Sequence, residues 1–353
     1  MTPAEYPQEN APVSSGASLI CPACGAPLKF DPATQQFHCE FCLSKFSKKE
    51  IERPTPADVD TIDEALNEYN CPSCGATIVA DLNTTADFCA FCGNPVILKG
   101  RVSGEIKPNL IIPFSVTKVQ AQNILRDFLK KKKFVPASFF SQANLDKVTG
   151  VYHPFWELDA DTDSSVNVTA TTSSHWRSGN KEYTKTNYFN VFRSGEIHME
   201  DISVHALKDA DKQLLEGVLP YPIQSHQPFS MEYLSGFYAK KYDLSRKDVE
   251  GEARAKMYNY AGKILTDTIT GYDSVHIDRQ SVVVTHASWD YTLLPIWVLA
   301  YRYGGKVYNF AVNGVTGKVF GEIPLSKPKL WLTAGGIAAA VATVVGLIGG
   351  LLI

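Results

Sequence analysis

The residues best equipped for chemistry in this chain are its eight cysteines, which fall into two sets of identical spacing. Cys21-Pro-Ala-Cys24 is followed by Cys39-Glu-Phe-Cys42, and Cys71-Pro-Ser-Cys74 by Cys89-Ala-Phe-Cys92, with 14 residues between the pairs each time. The second set is the first displaced by 50 residues, neighbours included: Cys-Pro-x-Cys-Gly-Ala opens each set and Cys-x-Phe-Cys closes it. Two cysteines three apart turn their sulfurs to one point when the loop between them folds into a knuckle, and Gly25 and Gly75 supply permissive backbone after each first knuckle. Two knuckles close a tetrahedron of thiolates, the geometry preferred by structural zinc. The expected ligands are Cys21, Cys24, Cys39 and Cys42 for one Zn2+ and Cys71, Cys74, Cys89 and Cys92 for a second, two per chain. Four protein sulfurs leave no position for water, so both sites are expected to be structural. Iron on the same ligands stays open. Disulfides suit an oxidising compartment, and a redox pair needs no second pair at a fixed distance. His38, beside Cys39, is read as facing solvent.

Segments this small bury too little surface to fold alone, so the metal must supply folding free energy. This divides the chain into a disordered lead-in (1–18), zinc ribbon 1 (19–50), an acidic linker (51–69) with a short helix from Asp60 to Tyr69, zinc ribbon 2 (70–99), a middle domain (100–326) and a terminal span (330–353). In each ribbon the 14 residues between the pairs fit a short hairpin. The middle domain reads as α+β. Thr117 is a helix start, with Ala121, Ile124, Leu125, Phe128 and Leu129 on one face. A second helix begins near Ser245 and carries Val249, Ala253, Met257, Ala261, Ile264 and Leu265 as its stripe. Tyr152–Leu158, Tyr183–Phe192 and the alternating residues around Trp297 read as strands, and Gly304-Gly305 as a hairpin turn.

From Leu330 to Ile353 there is no charged side chain. As a helix that stretch spans roughly 36 Å, enough for a hydrocarbon core of about 30 Å. Lys318, Lys327 and Lys329 precede it, so the sequence predicts a single-pass cell-membrane protein with its bulk in the cytoplasm. Ala342, Gly346 and Gly350 recur every four residues and let a second helix approach closely, a route to a homo-oligomer.

Charge bears on the partner. Residues 21–98 hold five basic and eleven acidic side chains, and two sites of four thiolates with one Zn2+ each deepen that excess to −10. Phosphate binding needs positive charge that displaces counterions, so nucleic acid is disfavoured. Lys45-Phe46-Ser47-Lys48-Lys49 is read as a solvated ribbon end, and Phe37, Phe41, Phe46, Phe88 and Phe91 as packing around the knuckles. The chain has no Gly-x-Ser-x-Gly, no His-Glu-x-x-His and no phosphate-binding loop. Asp159, Asp161 and Asp163 alternate on a strand and are read as a solvated edge, and His153 as a core residue.

The paired ribbons resemble those of TFIIB-type and primosomal-helicase zinc ribbons over residues 21–98. Paired ribbons, a mixed middle domain and one terminal span together resemble a bacterial membrane family, the YdjG-like zinc-ribbon proteins. That resemblance implies an adaptor in an envelope-stress system, with phage-shock protein A-like or flotillin-like (SPFH) partners. The expected function is thus a non-catalytic, membrane-anchored zinc-finger adaptor presenting a cytoplasmic protein-docking platform. A membrane-tethered nucleic-acid-binding regulator and a membrane hydrolase with an unrecognised site are the alternatives.

Overall fold

A computed structural model of the chain describes residues 21–26, 28–51, 67–70, 77–80, 97–101, 108–136, 141–208, 210–324 and 326–351. The first cysteine repeat builds its own antiparallel sheet of β1 (Leu28–Asp31), β2 (Gln36–Cys39) and β3 (Lys45–Phe46), followed by one helical turn, α1 (Lys48–Ile51). Asp31 shapes the β1–β2 turn, its carboxylate accepting from the Ala33 N–H and the Thr34 hydroxyl, both at 2.9 Å. Leu28 and Phe30 alternate inward on β1, and Phe37 and Cys39 on β2, as a half-buried pleat requires.

The rest of the chain forms one large mixed sheet of 11 strands. In chain order these are β4 (Asn67–Asn70), β5 (Thr77–Ala80), β6 (Ile97–Arg101), β7 (Leu110–Ile111), β8 (Thr149–Ser178), β9 (Lys181–His205), β10 (Gln227–Pro228), β11 (Tyr238–Ala239), β12 (Ser274–Tyr303), β13 (Lys306–Asn313) and β14 (Val319–Gly321). The spatial order is β10-β7-β12-β8-β11-β5-β4-β6, with β9 on β8, β13 on β12 and β14 on β13. The frame is the antiparallel pair β8–β12, paired from Thr149 opposite Val298 to Thr171 opposite Ser274 with register shifts at Ile277/Arg279 and Val284/His286. β7 joins β12 in parallel and β11 joins β8 in parallel, which makes the sheet mixed. Gly304 and Gly305, at φ 58 and 82, make the β12–β13 turn that the glycine pair predicts.

Five further helices sit on this frame: α2 (Lys118–Lys130), α3 (Gln142–Leu145), α4 (Lys212–Gly217), α5 (Arg246–Asp267) and α6 (Lys327–Leu351). α2 starts where Thr117 and Gln120 cap each other's backbone N–H groups, and it buries Ala121, Leu125 and Leu129 at four-residue intervals. α5 starts at the matching Ser245–Asp248 box and buries Val249, Ala253, Met257, Ala261 and Leu265. Both stripes join the main core, with Trp156, Tyr152, Phe114 and Trp297. A second core on residues of alternate parity, Val151 and Phe155 of β8 with Leu294, Ile296 and Val298 of β12, packs with Leu214 and Leu215 of α4. The sheet is therefore covered on both faces at this end, and each buried aromatic or aliphatic side chain is worth about 1.5–3 kcal/mol.

Two expectations do not hold. The first is the fold class: an α+β body beside paired ribbons and a transmembrane helix gives way to a large mixed sheet with few helices. The strands around Tyr152–Leu158 and Tyr183–Phe192 are short parts of strands of 30 and 25 residues. Period-two burial of Val166, Val168 and Ala170 continues through polar sequence that carries no apolar run, and partner strands on both sides satisfy the backbone. Asn67–Asn70 is likewise a strand where a short helix was expected, and 60–66 lie outside the described residues.

The second is the single-pass cell-membrane placement of the Leu330–Ile353 stretch. Among the described residues no helix is long and apolar enough to cross a membrane. The helix contact assigned to Ala342, Gly346 and Gly350 loses its setting with it. Ala342 is exposed on α6, and the surroundings of Gly346 and Gly350 lie outside the described residues.

Candidate metal centre

Two chain reversals bring the first four cysteines together, and they are built alike. In one, the Gly25 N–H donates to the Cys21 carbonyl at 2.9 Å and the Cys21 N–H to the Ala26 carbonyl at 2.7 Å. In the other, the Leu43 N–H donates to the Cys39 carbonyl at 3.0 Å and the Cys39 N–H to the Ser44 carbonyl at 2.9 Å. Gly25 and Leu43, each following the second cysteine of its pair, both have left-handed backbone, at φ 76 and 63. Each reversal aims two sulfurs at one point, and β1 and β2 hold the reversals face to face.

The sulfurs meet closely. Cys21 Sγ lies 3.5 Å from Cys42 Sγ, Cys24 Sγ lies 3.5 Å from Cys39 Sγ, and all four fall within 4.8 Å of one another. All four are free thiols, well beyond the ~2.05 Å of a disulfide. Sulfurs about 2.3 Å from a common ion at tetrahedral positions stand about 3.8 Å apart, so the donor set and its spacing fit a closed four-sulfur metal site. Cys21 and Cys39 are buried, whereas Cys24 and Cys42 face solvent.

The thiols are electrostatically uneven. Hydrogen bonding to the Ser44 hydroxyl and backbone draws Cys42 down to about 6. At Cys24 the Ala26 backbone favours the thiolate, but the neighbouring sulfurs of Cys42 and Cys39 outweigh it and push the thiol up to about 12. One sulfur is thus ready as a thiolate at neutral pH while its neighbour resists ionising beside it. A cation among them removes that conflict, since it favours ionisation of all four.

The ribbon is fastened to the body through 231–236. Tyr233 packs edge-on to Phe30 at 5.2 Å, and Lys48 lies over its ring at 5.0 Å. The Phe30 N–H donates to the Ser235 carbonyl at 3.3 Å, the Ser235 hydroxyl donates to the Leu28 carbonyl, and Gln35 Nε2 reaches the Phe114 carbonyl at 2.8 Å. Phe37 is buried and Phe46 half-buried in this core, as the sequence suggests. Phe41 is not: it is 76% exposed, and Leu43 beside it is 79% exposed. These two apolar side chains stand out from the second reversal.

The other predicted site residues fare differently. Cys71, Cys74, Cys89 and Cys92, with Phe88 and Phe91, lie outside the described residues, so the described residues contain one four-cysteine group. His38 lies on β2, half-buried and outside the sulfur group. His153 is a core residue, 2% exposed. Asp161 is held by His198 Nδ1 at 2.6 Å, and Asp159 accepts from the Asp201 N–H at 2.8 Å. Sequence reasoning missed the left-handed conformation at Leu43. The signal was available: the residue after the second cysteine is glycine at 25, 75 and 93, and leucine only at 43.

Fold and site together define a large mixed-sheet protein that carries a four-cysteine group able to hold a metal ion. No family model and no solved structure matches the chain. It is 35% identical over 337 residues to a Bacillus subtilis (strain 168) protein named Uncharacterized protein YdjG, a match covering 94% of this chain and 98% of the relative. The chain belongs to the YdjG family.

Proposed function

We propose that this chain is a non-catalytic adaptor whose cysteine ribbons, each built on one Zn2+, present a docking surface to a protein partner. The observation that carries the reading is the first ribbon: four sulfurs in tetrahedral reach of one another, with Phe41 and Leu43 exposed on the reversal they hold. Four thiolates fill the preferred coordination of zinc, so the ion's work is to fix shape. A rigid frame with two solvent-facing apolar side chains suits protein recognition, because little ordering entropy is spent on binding. The eight cysteines share one spacing, so the second set is assigned the same role and a second Zn2+. The acidic excess of residues 21–98 speaks for a protein partner over nucleic acid. Flotillin-like and phage-shock protein A-like proteins, the partners implied by family resemblance, are the first to try.

The test uses the full chain and a Phe41→Ser/Leu43→Ser variant, with zinc measured by mass spectrometry and binding to each purified partner by calorimetry. Two zinc per chain in both proteins, with binding at least about tenfold weaker in the variant, is the expected result. A chain without zinc overturns the ribbons, and unchanged binding by the variant overturns the docking surface.

A further inference from the structure

A second group of metal-competent side chains lies in the large sheet, apart from the four cysteines of the first ribbon. Glu157 comes from β8, Asp201 from β9, and His226 from the residue just before β10. His226 Nε2 is 2.9 Å from Glu157 Oε2 and 3.7 Å from Asp201 Oδ1, and one donor atom of each residue lies within 4.8 Å of the other two. Ligands about 2.1 Å from a common ion stand about 3.0–3.4 Å apart in octahedral or tetrahedral arrangements. The His226–Glu157 separation is close to that spacing, His226–Asp201 is a few tenths of an ångström wider, and all three donors lie within reach of one ion.

Each of the three is held in place by its neighbours. His226 Nδ1 meets the Ile223 carbonyl at 2.9 Å, the arrangement that keeps a proton on Nδ1 and turns Nε2 toward an ion. The segment carrying it is anchored at both ends, by the Tyr221 hydroxyl donating to the Pro295 carbonyl at 2.6 Å and by β10 pairing with β7. Glu157, 4% exposed, has its second oxygen held by the Ser203 hydroxyl at 3.1 Å. Asp201 sits in a bulge where β9 places Glu200 and Asp201 opposite Asp159 alone, and its φ of 54 is rare for a residue with a side chain.

An ion pair between Glu157 and His226 does not complete this site. Asp201 Oδ2 is buried and has no hydrogen-bond partner among the described residues. Glu157, Asp159, Asp201 and Asp290 act on one another electrostatically, with the single imidazole of His226 among them. A divalent cation supplies what the group lacks: a partner for the buried oxygen and two positive charges in place of one.

We propose that Glu157, Asp201 and His226 form a binding site for one divalent cation of hard or borderline character, Mn2+ among them. Binding replaces the Nε2 proton of His226, which leaves to solvent. One imidazole and two carboxylates suit such ions, whereas the thiolate ribbons select softer ones.

That difference makes the test independent of the ribbons. The full chain, loaded with two equivalents of Zn2+ for its eight thiolates and freed of excess metal, is titrated with Mn2+ while free Mn2+ is followed by its electron paramagnetic resonance signal. Mn2+ stands lowest in the affinity order of divalent first-row ions and does not displace zinc from thiolates. The expected result is one Mn2+ bound per chain, with affinity lowered at least about tenfold in Glu157→Gln and in Asp201→Asn. Circular dichroism checks folding. Should Glu157→Gln fail to fold, Asp201→Asn, at a partly exposed position, carries the comparison. No bound Mn2+ in the wild type, or unchanged affinity in the folded variants, overturns the site and leaves the ribbon reading as it stands.

Discussion

The two reversals around the cysteines make a pair of opposite predictions. Gly25 and Leu43 occupy equivalent positions with left-handed backbone, at φ 76 and 63. A residue with a Cβ pays roughly 1–2 kcal/mol in that conformation. An alanine Cβ at Gly25 meets nothing within 4 Å, so Gly25→Ala measures the backbone term without a clash. The lower entropy of the unfolded alanine chain returns about 0.4–1 kcal/mol. The net cost is about 0.5–1 kcal/mol, and in a ribbon that folds on its metal it shows as zinc affinity lowered about two- to fivefold. Leu43→Gly reverses the argument. The leucine is 79% exposed, so its loss forfeits little packing, while the same strain is relieved. Affinity should stay level or rise by up to about fivefold. The assay is competition of the full chain with a chromophoric zinc chelator at fixed pH. Lowered affinity in both variants to a similar extent refutes the equivalence of the reversals, and unchanged affinity in Gly25→Ala refutes the backbone account.

Other expectations concern the body. Burial holds His153 well below its ordinary 6.5, helped by the charges of Lys240 and His205, and burial likewise lowers His205. The unfolded chain then binds protons that the native chain refuses, so the stability these groups contribute is full above pH 6.5 and falls as pH drops below it, by about 1.4 kcal/mol per pH unit at His153 until its own depressed pKa is reached. Urea unfolding at pH 5 and pH 7.5 reads this, and His153→Gln should flatten the difference; an equal slope in the variant counts against it. A Cβ at Gly150 would stand 2.6 Å from the Phe237 ring and 3.1 Å from Trp297, so Gly150→Ala should cost about 1–3 kcal/mol in the same experiment. Thr117→Ala removes one half of the α2 capping box, and a loss of about 1 kcal/mol is expected; less than about 0.3 kcal/mol would show that the cap is dispensable.

Legibility in the sequence followed the range of the interactions. The knuckles of the first four cysteines, the Thr117 and Ser245 caps and the Gly304-Gly305 turn depend on neighbours within a few residues, and the structure has these where the sequence put them. The long strands did not show at full length, because 164–174 alternates small polar residues with isolated valines and an alanine; pairing of β8 with β12 decides the matter, and β12 begins some seventy residues after β9 ends. Glu157, Asp201 and His226 were invisible for a related reason, since the long β8–β9 hairpin must pair and the segment before β10 must fold back on it before the donors meet. The run Asp159, Asp161, Asp163 was the local trace of that acidic region, but only the bulge opposite Asp159 turns Asp201 toward Glu157 and His226. The apolar terminal stretch does form a helix, α6, but among the described residues no helix is long and apolar enough to cross a membrane.

One short segment ties these parts together. Residues 231–236 grip the first ribbon through Tyr233 and the Ser235 hydroxyl. β11, which follows directly, pairs with β5 of the second cysteine repeat through Tyr238 opposite Ala80 and Ala239 opposite Val79. On its other side β11 runs parallel to β8, and the Lys240 N–H donates to the Tyr152 carbonyl at 2.9 Å. Both cysteine repeats are thus fastened, by side chains in one case and backbone in the other, to the strand that also carries Glu157. A ribbon's shape depends on its metal, whereas β8 is fixed by two long antiparallel partners. Order therefore runs from the sheet outward, and an ion held by the first four cysteines would govern the knuckles and the exposed Phe41 and Leu43 rather than the frame beneath them.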